Sequence, residues 1–242
     1  MKSWTVFQMG DSGVLIELGT IMDPDINDKV HLLARYIKTT LSSVIDVISG
    51  YSTVLVIFQP DIESLDWDQL VQQALITTKN DQSTVRHVTI PVLYGGKYGP
   101  DLQEVGLYNN IDAETVVELH SRRYYRVYCL GFSPGFPFLG QVHAAIKTPR
   151  KATPRSRVPA GSVGIAEQQS GIYVLETPGG WQIVGRTPLS LFRPHLAQPI
   201  PYKPSDLIQF QPINESTYFE ILHDKSLQVD EWPDWLWEGG IG

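Results

Sequence analysis

Cysteine is nearly absent from this 242-residue chain: Cys129 stands alone. One cysteine closes no internal disulfide, so nothing points to an oxidising compartment. Long apolar runs are missing too. No stretch approaches the roughly 20 apolar residues that a membrane-spanning helix needs. The N-terminal MKSWTVFQMGDSG has one Lys but no apolar run of signal-peptide length. The expectation is a cytoplasmic protein with no membrane partner. A basic excess is also lacking. Nineteen Lys and Arg against 26 Asp and Glu leave a net charge of -7. That argues against a duplex-DNA binder, which needs a basic face, so no nucleic-acid partner is expected, while a locally basic site for a small acid stays compatible.

Signature motifs are missing as well. The chain has no G-x-x-x-x-G-K-[ST] phosphate loop, no G-x-G-x-x-G fingerprint and no H-E-x-x-H. Its six histidines are scattered without metal-ligand spacing, and no metal is expected. If the protein handles ATP, a standard phosphate loop in this chain does not do it.

What is present divides at TTKNDQST, residues 77–84, a polar stretch rich in turn formers. Residues 1–84 read as two strands, a helix, two strands and a helix. Asp23 is placed to cap the first helix with Pro24 at its first position. Ile26, Val30, Leu33, Ile37 and Leu41 share one face of it. A second helix is expected over 64–78, with Leu70, Val71, Ala74 and Leu75 inward. This ββαββα order resembles a ferredoxin-like α/β sandwich.

Residues 85–242 read differently. A strand at VRHVTIPVLYGG precedes two short helices, GPDLQEVGLYNN and DAETVVELHSR. Then come YRVYCLG, SVGIAEQ, GIYVLET and WQIVGRT as strands, with tight turns at QQSG and TPGG, and DLIQFQP and TYFEIL close the set. Many short strands with Gly/Pro turns suggest an antiparallel barrel, so the fold class is α+β. The Pro-rich segment around 133–160 is expected to be an ordered loop or two, and loops that long are usually functional.

GFSPG, residues 131–135, fits the G-x-S-x-G pattern of serine hydrolases, but Pro134 follows Ser133. Proline has no N–H to give an oxyanion, and GFPFLG will not form the helix that must follow a nucleophile elbow. Cys129 lies mid-strand among apolar neighbours, where thiols are usually inert. The densest charge is KTPRKATPRSR, residues 147–157: Lys147, Arg150, Lys151, Arg155 and Arg157 without one acid, and a Thr-Pro-Arg tripeptide twice. Arginine grips carboxylate or phosphate bidentately; a solvated basic loop is the other reading. Ala160-Gly161-Ser162 is able to turn consecutive N–H groups toward an anion. Pro178-Gly179-Gly180, Trp181 and Arg186-Thr187-Pro188 form a further Gly-rich region. The Trp232, Trp235 and Trp237 tail either packs onto the barrel or docks a partner.

The run from Tyr94 to Pro188 carries a resemblance. YGGKYGPDLQEV, ELHSRRYYRVYCLGFSPGFPFLG and TPRKATPRSRVPAGSVGIAEQQSGIYVLETPGGWQIVGRTP, in that order, resemble the KipI family. Its members are also called 5-oxoprolinase B subunits, or the allophanate hydrolase subunit 1 family. The resemblance implies a small N-terminal α/β domain, 1–84, and a cyclophilin-like β-barrel domain, 85–242. It implies one partner of the KipA type, the C component of the enzyme, and another of the A type, with ATP consumed to hydrolyse 5-oxoproline to glutamate. Two alternatives come with it: an inhibitor docking on a sporulation-type sensor histidine kinase, and a urea amidolyase-type component. Under the first reading Arg155, Arg157 and His120 are the candidate catalytic residues, His120 as acid or base; its helical pattern beside aromatic residues also fits a packing histidine, the commoner case. Phe132, Phe136, Gly161, Ser162, Trp181, Arg186 and Thr187 are the candidate substrate-binding residues.

Overall fold

The computed structural model describes residues 3–59, 65–77, 85–229 and 231–237. The chain forms two compact units, Met1–Thr84 and Val85–Gly242. Of the polar boundary stretch, residues 78–84 lie outside the described residues.

In the first unit the elements are β1 (Thr5–Gln8), β2 (Gly13–Glu17), α1 (Pro24–Thr40), β3 (Val44–Ser49), β4 (Thr53–Phe58) and α2 (Trp67–Thr77). The sheet order is β1-β2-β4-β3, antiparallel throughout. Local chemistry sets it. Asp23 accepts a hydrogen bond from Ile26 N at 3.0 Å, capping α1 one residue before Pro24. Val30, Leu33 and Ile37 on α1 meet Val54, Val56 and Phe58, alternate residues of β4. Each fully buried aliphatic side chain contributes about 1.5–3 kcal/mol. Asn27 is buried on the same face, and its amide donates to the Gly50 and Tyr51 carbonyls, tying α1 to the β3–β4 turn.

The second unit begins with β5 (His87–Tyr94), α3 (Leu102–Asn109), α4 (Ala113–Ser121), β6 (Tyr124–Leu130) and β7 (Pro137–Gly140). It continues with β8 (Arg155–Val158), β9 (Ser162–Ala166), β10 (Gln169–Tyr173), β11 (Thr177–Gly179) and β12 (Gln182–Arg186). Then follow β13 (Leu207–Pro212), α5 (Glu215–His223) and α6 (Ser226–Val229). Seven strands close a barrel in the order β10-β7-β6-β13-β5-β12-β9. All neighbours are antiparallel except β5 and β13. Val88, Ile90, Val92, Val163, Ile165, Ile172 and Ile208 fill the core. β8 and β11 form a separate two-stranded sheet.

Five expectations differ from the structure. TPGG is not a hairpin turn: Thr177–Gly179 is strand β11, paired with β8, and the strands on either side of it, β10 and β12, both pair with β9. TYFEIL is not a strand but most of α5. Asn214 accepts from Thr217 N at 2.9 Å, and Tyr218 and Ile221, three apart, are the buried pair; a six-residue apolar run fits either period. The basic segment does not stay a loop, because Arg155–Val158 becomes β8 against β11. The Pro-rich stretch is likewise broken by β7, whose residues pair with β6 and β10. The β9–β10 turn falls on Glu167-Gln168 rather than on QQSG, with Glu167 at a φ of +53°, while Gln169, Ser170 and Gly171 are already in strand. In the tail, Trp232 is buried in the barrel cluster with Trp235 and Trp237 packed beside it. Trp232 donates to the Gln198 carbonyl, and the Arg193 guanidinium lies 3.9 Å from its ring.

Candidate functional site

On β10 and β9, Gly171 and Gly164 face each other across the ladder. A Cβ at Gly171 would fall 2.8 Å from Phe136 Cζ and 2.9 Å from Trp181 Cζ3. Only glycine lets those two rings lie against the strand. Phe136, Phe138, Tyr173 and Trp181 pack mostly edge to face, with centroids 4.9–6.5 Å apart. They line a cavity of about 270 Å³ that is also lined by Phe132, Arg150, Pro154 and, at the end of β11, Pro178, Gly179 and Gly180. Gly179 is needed there because a Cβ would overlap the Tyr173 hydroxyl.

The rim residue Phe132 is held under strain. Its φ is +64°, and Ser133 N donates to Gly131 O at 2.7 Å, closing a three-residue turn around it. This positive-φ γ-turn is rare and costs about 1–3 kcal/mol for a non-glycine residue. It leaves the Phe132 ring 64% exposed, edge-on to Phe136 and Tyr173. Ser133 itself is no nucleophile. A strand follows it, not a helix, and its Oγ is buried with no hydrogen-bond partner, so no base activates it. Burial also pushes the Cys129 thiol up to about 11, so it stays protonated.

The basic segment separates by partner. Arg155 Nη2 lies 2.6 Å from Asp101 Oδ1, and Lys151 Nζ reaches the same oxygen at 3.1 Å and Glu104 at 3.0 Å. Ile183 N donates to the other Asp101 oxygen at 2.7 Å. Asp101 immediately precedes α3 but does not cap it, because its carboxylate is turned to these three donors. Its burial favours the neutral acid, yet the bonds from Arg155, Ile183 N and Lys151 outweigh that and hold the carboxyl below its usual range. Arg157 sits on the surface, 75% exposed, paired with Glu176 at 2.6 Å. Arg150 has no acidic partner among the described residues. Its guanidinium lies 5.8 Å from the centre of the Trp181 ring, within cation–π range.

The structure therefore brings Phe132, Phe136 and Trp181 together in one pocket, and sets Arg155 behind it. Gly161, Ser162 and Thr187 stand elsewhere, as a support. Gly161 N donates to Tyr173 O, Thr187 N to Gly161 O, and both Ser162 N and its hydroxyl bond to Pro159 O. These amides are occupied, so the turn presents no anion cradle. Arg186 stands beside Tyr98 and Tyr218, its guanidinium 5.8 Å from the Tyr98 ring.

His120 is inside the barrel, fully buried and stacked on Phe210 at 4.7 Å. Its Nε2 is hydrogen-bonded to Ser170 Oγ at 2.9 Å and its Nδ1 to the Tyr94 hydroxyl at 2.8 Å, so both ring nitrogens are engaged. Burial lowers its pKa to about 3, keeping the imidazole neutral near pH 7. An acid or base role at the pocket would require the ring to leave this core. Sequence reading missed Arg150, Tyr173 and Asp101 as site residues. The signal for the first was the doubled Thr-Pro-Arg; Asp101 sat in a helix-start pattern that explained it otherwise.

The family model described as carboxyltransferase domain, subdomain C and D, matches residues 4–202, and the chain belongs to that family and, within it, to the 5-oxoprolinase B subunits. It is 39% identical over 230 residues to the 5-oxoprolinase B subunit of Bacillus subtilis (strain 168), covering 89% of this chain and 95% of that one. It is equally identical over 216 residues to the 5-oxoprolinase B subunit of Escherichia coli O157:H7, covering 89% and 99%. Among solved structures, TTHA0988 superposes with a TM-score of 0.72 at 33% identity over 84% of this chain. This chain spans 40% of the length of that one.

Proposed function

We propose that this protein is the B subunit of an ATP-dependent 5-oxoprolinase. With partners of the A type and of the C, or KipA, type it hydrolyses 5-oxoproline to glutamate, and it is inactive alone. The observation that carries this reading is the 39% identity to 5-oxoprolinase B subunits over nearly the full length of both chains. In this reading residues 1–84 are a ferredoxin-like domain whose closing strand has moved to the front, consistent with the order β1-β2-β4-β3. Residues 85–242 are a cyclophilin-like barrel domain, and the protein works in the cytoplasm.

The aromatic pocket is the site offered to substrate. A lactam such as 5-oxoproline is a small, flat-sided ring, and a cavity of about 270 Å³ walled by four aromatic rings suits it. ATP supplies activation of the unreactive lactam carbonyl. This chain is a poor host for it: the Gly161-Ser162 amides are spent within the fold, and Arg155, Lys151 and Arg157 already hold carboxylates. The nucleotide is therefore assigned to a partner protein. Fold kinship implies no prolyl isomerase activity, because function belongs to sites.

Reconstitution tests the reading. The three purified proteins with ATP should release glutamate from 5-oxoproline, and leaving out this chain should abolish release. No glutamate from the complete mixture, or undiminished glutamate without this chain, removes the proposal.

A further inference from the structure

Five cations lie within residues 147–157, and the structure gives carboxylates to three of them. Lys151 and Arg155 share Asp101, Lys151 also takes Glu104, and Arg157 takes Glu176. Arg150 is treated differently. The backbone around it is fixed on both sides: Gln182 Nε2 donates to Pro149 O at 2.9 Å, and Lys151 N donates to Gly180 O at 2.7 Å. Glu167 N, from the β9–β10 turn, also donates to Thr148 O at 2.7 Å. The Arg150 side chain is delivered to the rim of the aromatic cavity, and no residue lining that cavity is acidic. Tyr173, the one lining group able to lose a proton, is pushed up by burial. The Trp181 backbone hydrogen bond and the nearby arginines offset that only in part, so it remains a neutral phenol. The pocket thus carries one positive charge, prepositioned and uncompensated, over an apolar floor.

We propose that Arg150 is the anion anchor of this pocket. The pocket takes a small ring compound with a single carboxylate, the carboxylate on the guanidinium and the ring against Trp181 and Phe136. The guanidinium fork matches a carboxylate in geometry as well as charge. The same electrostatics set specificity. No acid waits to receive a cationic nitrogen, so a ring with a neutral amide nitrogen is preferred over one with an ammonium. 5-Oxoproline and proline share ring size and carboxylate and differ in that nitrogen; the lactam is favoured. Open-chain glutamate brings an ammonium and leaves the pocket. The choice of 5-oxoproline rests on the proposed function above, while the anchor itself rests on the pocket alone.

The test has two arms. In the reconstituted complex, Arg150→Gln should raise KM for 5-oxoproline at least about tenfold, the loss of a charge-assisted contact, with kcat nearly kept. Arg150→Lys should recover part of that loss, and Arg122→Gln, at the C-cap of α4 and in an exposed pair with Glu118, should change nothing. Unchanged KM in Arg150→Gln overturns the anchor while leaving the proposed function intact. If the complex makes no glutamate, the anchor is judged on the full chain alone. NMR titration should then show wild type binding cyclopentanecarboxylate or 5-oxoproline more tightly than 2-pyrrolidinone or proline, and Arg150→Gln losing that preference. Failure of wild type to bind either acid, equal binding by wild type and variant, or pocket signals that move only when partner proteins are added overturns it.

Discussion

The tripeptide Thr-Pro-Arg occurs twice, at 148–150 and 153–155, and its two arginines have opposite fates. Arg155 is three-quarters buried and bonded at 2.6 Å to a carboxylate that is itself 4% exposed. Arg150 rests on an aromatic ring with no acid beside it. One arginine holds the structure and the other is left available. The difference lies in what each neighbour supplies, since the local sequences are alike. Asp101, from fifty residues earlier in the chain, claims Arg155 and Lys151, and its reach ends there. A cation whose charge is already answered cannot bind a ligand without giving up its partner.

The largest loss of stability is expected at Arg155. Arg155→Ala leaves Asp101 buried with only Lys151 and one amide. Removing one partner of a buried pair costs about 3–5 kcal/mol. Because Lys151 remains and Arg155 is partly exposed, the expected loss is nearer about 2 kcal/mol, read as a lower urea midpoint. Loss of joint activity should follow this instability. Arg150→Ala should change stability by less than about 0.5 kcal/mol, as for a surface change, leaving the urea midpoint nearly unmoved while reducing activity; a large midpoint shift would make Arg150 structural too. Arg157→Ala is expected to show the smallest effect, about 0–0.5 kcal/mol, because its pair with Glu176 is exposed.

Acid tells the structural cation from the available one in a second way. Asp101 has a depressed folded pKa, so its contribution is present above the unfolded carboxyl value of about 4 and is lost as pH falls through the lower folded value. His120 acts in a different window. Its pKa is about 3 folded against about 6.5 unfolded, so the unfolded chain binds the extra proton. Stability is full above about pH 6.5 and declines as pH falls toward 3, by on the order of 4 kcal/mol. Urea midpoints measured across pH should therefore fall in two stages. His120→Gln should flatten the upper stage, and Arg155→Ala should weaken only the lower one.

The sequence made some of this legible. Asp23-Pro24, Asp112 and the 3.6-residue period in 26–41 named helices that the structure shows, because capping and amphipathicity are local. The resemblance named Phe132, Phe136 and Trp181 as candidate substrate-binding residues, and all three line one cavity. Arg150 could not be told from Arg155, because that choice is made by Asp101 through a tertiary contact. Arg157 and Arg155 were grouped by proximity in sequence, yet strand β8 sends one to Glu176 and the other to Asp101. His120 sat in a helix that placed it beside aromatics, but only closure of the barrel shows that both its nitrogens are already bonded.

The parallel pairing of β5 with β13 has a consequence for the order of folding. His87–Tyr94 finds its long neighbour in Leu207–Pro212, and Asp206 reaches back 120 residues to Arg86. The β9–β10 hairpin needs a short loop closure, whereas this seam closes across half the chain, and distant pairing is the slow kind. During synthesis the barrel stays an open sheet until residue 212 has emerged. β13, the last strand, is the latch that joins β5 to β6.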